Sequence, residues 1–289
     1  MATANFARIN RRSPDQGTLS DLSFSQEIRI LAESHRTEYF DQGSRDQKHW
    51  IAADLTLDPS EQYMTGTLGY SEQIAYQTFD QDSWSWVKAE SEAARGAREN
   101  TVVPFAIDIR DNQRWVSFIP RQGLRRAEFI VGLGRVLTTA VADLGLFPQE
   151  WDVDLVTSRG QISDWLRANP LVFNLRRTVK FSNPGRDLDS DRQEMRELAA
   201  NRKTEEFAAP YGKILDIGSP AFQEKLDGTE EGNLEVQLQA RSTGGGGGEL
   251  FNSGESVDQA PVANFGTDLL EGMQIALTAL QEYAARKRN

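Results

Sequence analysis

The chain has 289 residues, with 43 acidic and 32 basic side chains and a formal charge of −11. It holds no cysteine and two histidines, His35 and His49, which excludes disulfides, cysteine nucleophiles and thiolate-bound metals and argues against a multi-histidine centre. The length suits one large domain or two modest ones, and no apolar run reaches the about 18 residues of a membrane span.

Residues 1 to about 20 read as a polar, basic arm turning at Ser13-Pro14-Asp15. They lack the apolar stretch of a secretory signal. Leu22 to Thr37 fits either a helix or a strand. Trp50 to Leu57 alternates as a strand and stops at Asp58-Pro59, and Gln62 to Tyr70 and Trp84 to Val87 are further strands. Val102 to Arg110 and Arg114 to Ile119 form a hairpin around Asp111-Asn112, residues that tolerate left-handed backbone. The second of these strands is apolar on both faces. Leu124 to Leu144 is a helix, and its Gly132 and Gly134 point to close packing, because glycine there costs about 1 kcal/mol against alanine. Trp151 to Thr157 is a strand, and Ile162 to Ala168 a short helical turn. A polar helix spans Asp187 to Asn201, and Phe207 to Ile217 is extended. Ala221 to Leu226 is helical. Asn233 to Arg241 is a strand with Leu234, Val236 and Leu238 inward. Gly244 to Gly248 is a flexible run, and Glu249 to Ala263 is irregular with short strands. Thr267 caps a last helix carrying Leu269, Leu270, Met273, Leu277, Leu280 and Tyr283.

The most informative stretch is Leu171 to Ser182. Leu171, Phe173, Leu175, Val179 and Phe181 share one face with Arg177. Asn174, Arg176, Thr178, Lys180 and Ser182 share the other. The window from Arg167 to Arg186 holds five basic residues and no acid, against an acidic background. Basic side chains on one rigid face can neutralise successive phosphates. The candidate contacts are Arg176, Lys180 and Arg186, with Arg202, Lys203 and Lys213 beside them. The plain structural reading pairs these cations with the acidic helix that follows. Other basic clusters lie at Arg8 to Arg12, Arg110 to Arg126 and Arg286 to Arg288.

Catalytic signals are weaker. Asp216 followed by Glu235-Val236-Gln237 loosely matches a PD-(D/E)xK nuclease layout, with Gln where the general-base Lys belongs. The Gly244 run lacks the Lys-Ser or Lys-Thr of a phosphate loop. His35 and His49, near Asp41 and Asp46, read as surface histidines. Trp84 and Trp86 share a strand face and read as packing residues. No catalytic residue, metal ligand or cofactor site is expected.

The order of elements resembles a family. Pro104-Phe105-Ala106-Ile107-Asp108-Ile109, a hairpin, Val116-Ser117-Phe118-Ile119-Pro120 and a helix are similar to the middle of the RexA-type phage-exclusion proteins of lambda-like temperate phages. Val153-Asp154-Leu155-Val156, Arg177-Thr178-Val179-Lys180-Phe181, the strand Leu234 to Arg241 and a final helix with Tyr283 continue the likeness. The resemblance implies a prophage-encoded protein of the host cytoplasm. It would bind double-stranded DNA with little sequence preference, as a homodimer, and exclude superinfecting phage beside a membrane protein encoded next to it. The acidic composition and the Gly244 insertion depart from that pattern.

The expected fold is α+β, mostly antiparallel sheets with flanking helices, in two domains: residues 1–155 and 156–289, the second holding the basic strand and the final helix. Two features point to a second copy: the broad stripe of the last helix and the doubly apolar strand Arg114 to Ile119. The expected function is non-enzymatic DNA binding. The alternatives are a metal-dependent nuclease using Asp216 and Glu235, and a protein–protein interaction module.

Overall fold

In the computed structural model Ala2–Arg11 is no arm but strand β1, buried without a break from Ala4 to Asn10. Two kinds of residue hide this strand from hydropathy. Ala4 and Ala7 are small, and three polar side chains find partners on other elements. Asn5 accepts from Gln259 at 3.1 Å. The Arg8 guanidinium lies 4.6 Å from the Trp115 ring and donates to the Gln113 and Asn112 carbonyls. Asn10 donates to Asp154 at 2.9 Å.

The structure describes residues 2–11, 23–34, 37–40, 48–73, 76–80, 85–89, 95–96, 101–143, 150–180, 189–200, 202–226, 229, 232, 234–242 and 248–288. After β1 comes helix α1 (Phe24–Glu33), then strands β2 (Thr37–Phe40), β3 (His49–Leu57), β4 (Tyr63–Gln73), β5 (Tyr76–Asp80), β6 (Ser85–Ala89), β7 (Arg95–Gly96), β8 (Val102–Asp108) and β9 (Trp115–Phe118). Helix α2 (Arg126–Asp143), β10 (Trp151–Leu155), α3 (Arg159–Ala168) and β11 (Val172–Lys180) follow. The rest is α4 (Asp189–Glu197), β12 (Arg202–Ala208), α5 (Pro220–Leu226), β13 (Leu234–Ala240), β14 (Glu249–Asn252), β15 (Gln259–Val262) and α6 (Leu269–Arg288). The fold is α+β with antiparallel sheets, and no helix among the described residues is long and apolar enough to cross a membrane.

The ambiguous second segment is a helix because Ser23 and Gln26 close a capping box at its start, satisfying donors that a helix end leaves open. The large sheet runs β10-β1-β9-β8-β4-β3-β2, with β15 also on β1 and β7 on β4. Helices α1 and α2 cover one face through Phe24, Ile28, Phe129, Leu133 and Val136, packed on Ile9, Phe105, Ile107 and Phe118. Helix α6 covers the other through Ala276, Leu280 and Tyr283, packed on Phe6, Ala106 and Trp115. Phe118 stacks on Phe129 at 4.0 Å, and Tyr283 stacks on Phe6 at 4.0 Å. The doubly apolar β9 is therefore sandwiched within one chain, as is the buried side of α6. The sequence features that pointed to a second copy are accounted for inside the monomer. Asp268, one residue beyond the expected Thr267, caps α6 by accepting from the Glu271 N–H, and Leu270 is exposed rather than buried.

The small sheet runs β12-β11-β13-β14. Helices α3, α4 and α5 cover one face of it through Ile162, Leu166, Met195, Phe222 and Leu226, against Leu175, Val179, Leu234, Val236 and Leu238. The expected division gave residues 156–289 to one C-terminal domain. Instead the chain leaves the large sheet after β10, builds the small sheet, and returns: β15 pairs with β1 and α6 covers the first sheet. The apolar stripe of α6 matches the second face of the large sheet, which would otherwise stay wet.

Candidate nucleic-acid interface

Alternation along β11 divides its cations into two populations. Arg177 turns to the helix-covered face, where it is 3 % exposed. It donates to Asp191 at 2.5 Å and Glu205 at 2.8 Å. Lys203, directly across from Val179 on β12, joins the same cluster through Asp191 at 2.8 Å and Glu194 at 2.6 Å. Burial pushes the Asp191 carboxyl up, but the Lys203 hydrogen bond and the Arg177 charge outweigh it and hold the group below its ordinary value. The Asp191 hydrogen bond holds the Lys203 ammonium above its ordinary range. With Glu205 of its own strand at 3.4 Å, Lys203 is thus consumed by three carboxylates on the buried side, two of them on the acidic helix as the plain structural reading anticipated.

Among the described residues no helix covers the opposite face of the small sheet. Along β11 it presents Asn174, Arg176, Thr178 and Lys180. Register places Ala208, Glu206, Thr204 and Arg202 of β12 directly opposite these four. Gln239, Gln237 and Glu235 of β13 lie on the other flank. Arg176 and Arg202 are exposed and have no carboxylate partner among the described residues. Glu206 accepts from Asn174 at 2.7 Å, and Thr178 and Thr204 lie 3.2 Å apart.

Lys180 has a different task. Its ammonium reaches Asp154 of β10 at 2.5 Å and Glu235 at 2.7 Å, tying the small sheet to the large one. Burial pushes the Asp154 carboxyl up against the pull of Lys180. Burial pulls the Lys180 ammonium down, and Asp154 more than reverses it. Beside this bridge opens a cleft of about 760 Å³, lined in part by Arg135, Thr138, Glu150, Asp152, Asp154, Lys180 and Arg202. Arg135, Asp152 and Asp154 were missed in the sequence. The strand pattern held one signal: in β10, Trp151 and Val153 face the core, so Asp152 and Asp154 must face the other way.

Three of the six expected contacts, Arg176, Lys180 and Arg202, therefore share one face. Lys203 lies on the other. Lys213 is exposed in the loop that returns to the start of β11, where the Leu215 N–H bonds the Val172 carbonyl, at the far end from Lys180. Arg186 lies outside the described residues, as do His35, Asp41, Asp46, Trp84 and the Gly244 to Gly247 run; nothing is described of the Trp86 side chain. His49 pairs with Glu38 at 2.9 Å.

The nuclease layout does not assemble. Asp216 sits next to Leu215 at the start of β11, whereas Glu235 faces Thr178. Six residues of strand separate them by about 20 Å, too far to share a metal ion. No group of three or more metal-binding side chains gathers among the described residues. The Arg110 to Arg126 cluster is largely spent inside the fold. Arg110 pairs with Asp108, Arg114 lies over Phe24 and Trp151, and Arg121 donates to the Gly266 carbonyl at 2.8 Å.

No protein-family model matches the chain, and no curated protein or solved structure matches it.

Proposed function

We propose that the chain is a non-enzymatic, sequence-independent double-stranded DNA-binding protein, acting as a homodimer in the exclusion of superinfecting phage. The phage-exclusion part rests on the RexA-type resemblance alone. The observation that supports DNA binding is the bare face of the small sheet. There Arg176 and Arg202 project without carboxylate partners among the described residues, amid the neutral hydrogen-bonding groups of Asn174, Thr178, Thr204, Gln237 and Gln239, with Glu206 and Glu235 on the same face. Cationic and amide donors on one strand face suit phosphate contact, and no base-reading helix lies beside them among the described residues.

In this reading Arg176 leads the phosphate contacts, and Lys180 holds the two sheets together instead. The test is binding of a random-sequence duplex over a salt series. Arg176→Ala is expected to lower the slope of log affinity against log salt by about 0.9 for each phosphate no longer neutralised, with stability within about 0.5 kcal/mol of the parent. No binding at low salt, or an unchanged slope in the variant, would sink the reading.

A further inference from the structure

Strand β12 is the edge of the small sheet, and among the described residues no strand pairs with its outer side. Its sequence is Arg202-Lys203-Thr204-Glu205-Glu206-Phe207-Ala208. An open edge is a template for another strand. Which strand it accepts is decided by the charges it carries.

We infer that β12 pairs antiparallel with β12 of a second copy, about a two-fold axis through Thr204, so that two small sheets become one. This inference rests on the two-copy part of the proposed function and needs nothing from DNA. Continuity of the sheet requires that residues of the bare face meet residues of the bare face, because a one-residue slip sends every side chain to the wrong side. The registers that satisfy this and keep the strand centre paired are centred on residue 203, 204 or 205. Centring on 203 sets Lys203 against itself, and centring on 205 sets Glu205 against itself. Like charges directly opposite are destabilising. Centring on Thr204 sets Arg202 against the partner's Glu206 and Lys203 against the partner's Glu205, and both pairs recur by symmetry. No like charges face each other in that register.

The pairing also answers a mismatch within the chain. Arg202 lies directly across from Lys180, a cation facing a cation, and has no carboxylate partner among the described residues. The partner's Glu206 would supply one. The same charges repel edges lacking this order, so the edge is selective for its own copy. Arg176 stands one strand inward and is not part of the seam.

The chain has no cysteine, so one introduced thiol reports the register. Residues opposite each other in an antiparallel pair have Cα atoms about 4.5–5.5 Å apart, within the about 4.4–6.8 Å of a disulfide. Thr204→Cys should oxidise to a covalent dimer. Gln239→Cys, exposed on the same face but two strands inward, should not. A second measurement uses mass by light scattering without DNA. The parent should be a dimer, and Arg202→Glu and Glu206→Arg should each be monomeric. Their equimolar mixture should return to dimer mass, since every seam pair is then complementary again. A parent that stays monomeric at tens of micromolar, a Thr204→Cys that does not cross-link, or a mixture that stays monomeric would overturn the inference. A dimer that fails to bind DNA would leave it standing and remove the DNA reading.

Discussion

Replacing Arg177 with alanine removes the cation at the centre of the small sheet's buried charge cluster. The guanidinium reaches Asp191 at 2.5 Å and Glu205 at 2.8 Å, and truncation leaves both carboxylates short of a partner. Breaking one side of a buried ion pair costs about 3–5 kcal/mol. Lys203 still reaches Asp191 at 2.8 Å and Lys225 still reaches Glu205 at 3.2 Å, so the lower end, about 3 kcal/mol, is expected. At about 2–4 °C per kcal/mol for a chain of this size, Tm should fall by about 6–12 °C. In urea the midpoint should drop while the slope stays constant. Acid behaviour gives a second readout. Burial raises the Asp191 and Glu205 carboxyls, but their cations outweigh it and depress both. A carboxyl depressed in the folded state contributes stability above its unfolded pKa, about 4, and that stability is lost as pH falls through the folded value. The variant should therefore lose less stability on acidification than the parent. A variant within about 0.5 kcal/mol of the parent, with the same acid slope, would refute the idea that this cluster holds the lobe together.

Gly132→Ala should destabilise by about 1–3 kcal/mol, although alanine is the better helix former. A Cβ there would lie 2.3 Å from the Trp50 ring, and a thermal melt showing a gain would contradict the packing. Lys180→Met should cost about 3 kcal/mol by stranding Asp154. Without its cation the Asp154 carboxyl rises further, so the folded state keeps a proton that the unfolded state gives up. Stability should then improve on going from about pH 7 to about pH 5 more than it does in the parent; equal urea midpoints at the two pH values would oppose this. Double substitution of Arg176 and Lys180 would mix this structural effect with any change in phosphate binding, which is why Arg176→Ala is the cleaner probe.

Strands whose buried positions are large and apolar were legible in the sequence: β3, β8, β11 and β13 alternate plainly, and the placement of Arg177 on the covered face followed from that alternation. Strand β1 was not legible, because its two large apolar residues, Phe6 and Ile9, face opposite sides, and its other buried positions are alanine or polar groups with distant partners such as Gln259 and Asp154. Strand β12 was hidden by charges on both faces, which strand propensity disfavours; Asp191 and Glu194 of α4, with Glu205 of β12, pair Lys203. The bare basic face was partly legible. What local pattern could not show was which cations were already engaged. Lys180 finds Asp154 and Lys203 finds Asp191 across loops, and the cleft gathers Arg135, Asp154 and Arg202 from three separate elements.

The return of the chain to its first strand bears on how the molecule is made. Ala2 pairs with Val262, and Phe6 waits for Tyr283. Contacts of such long sequence separation form late and slow folding. During synthesis the α1–α2 side of the large sheet can assemble while the face carrying Phe6, Ala106 and Trp115 stays wet until α6 emerges. A ribosome-bound chain stopped before residue 257 would present that face, with one side of Ala2–Asn5 unpaired, as an adhesive surface. Aggregation of such stalled chains, relieved by supplying residues 257–288 as a separate peptide, is the behaviour this topology entails.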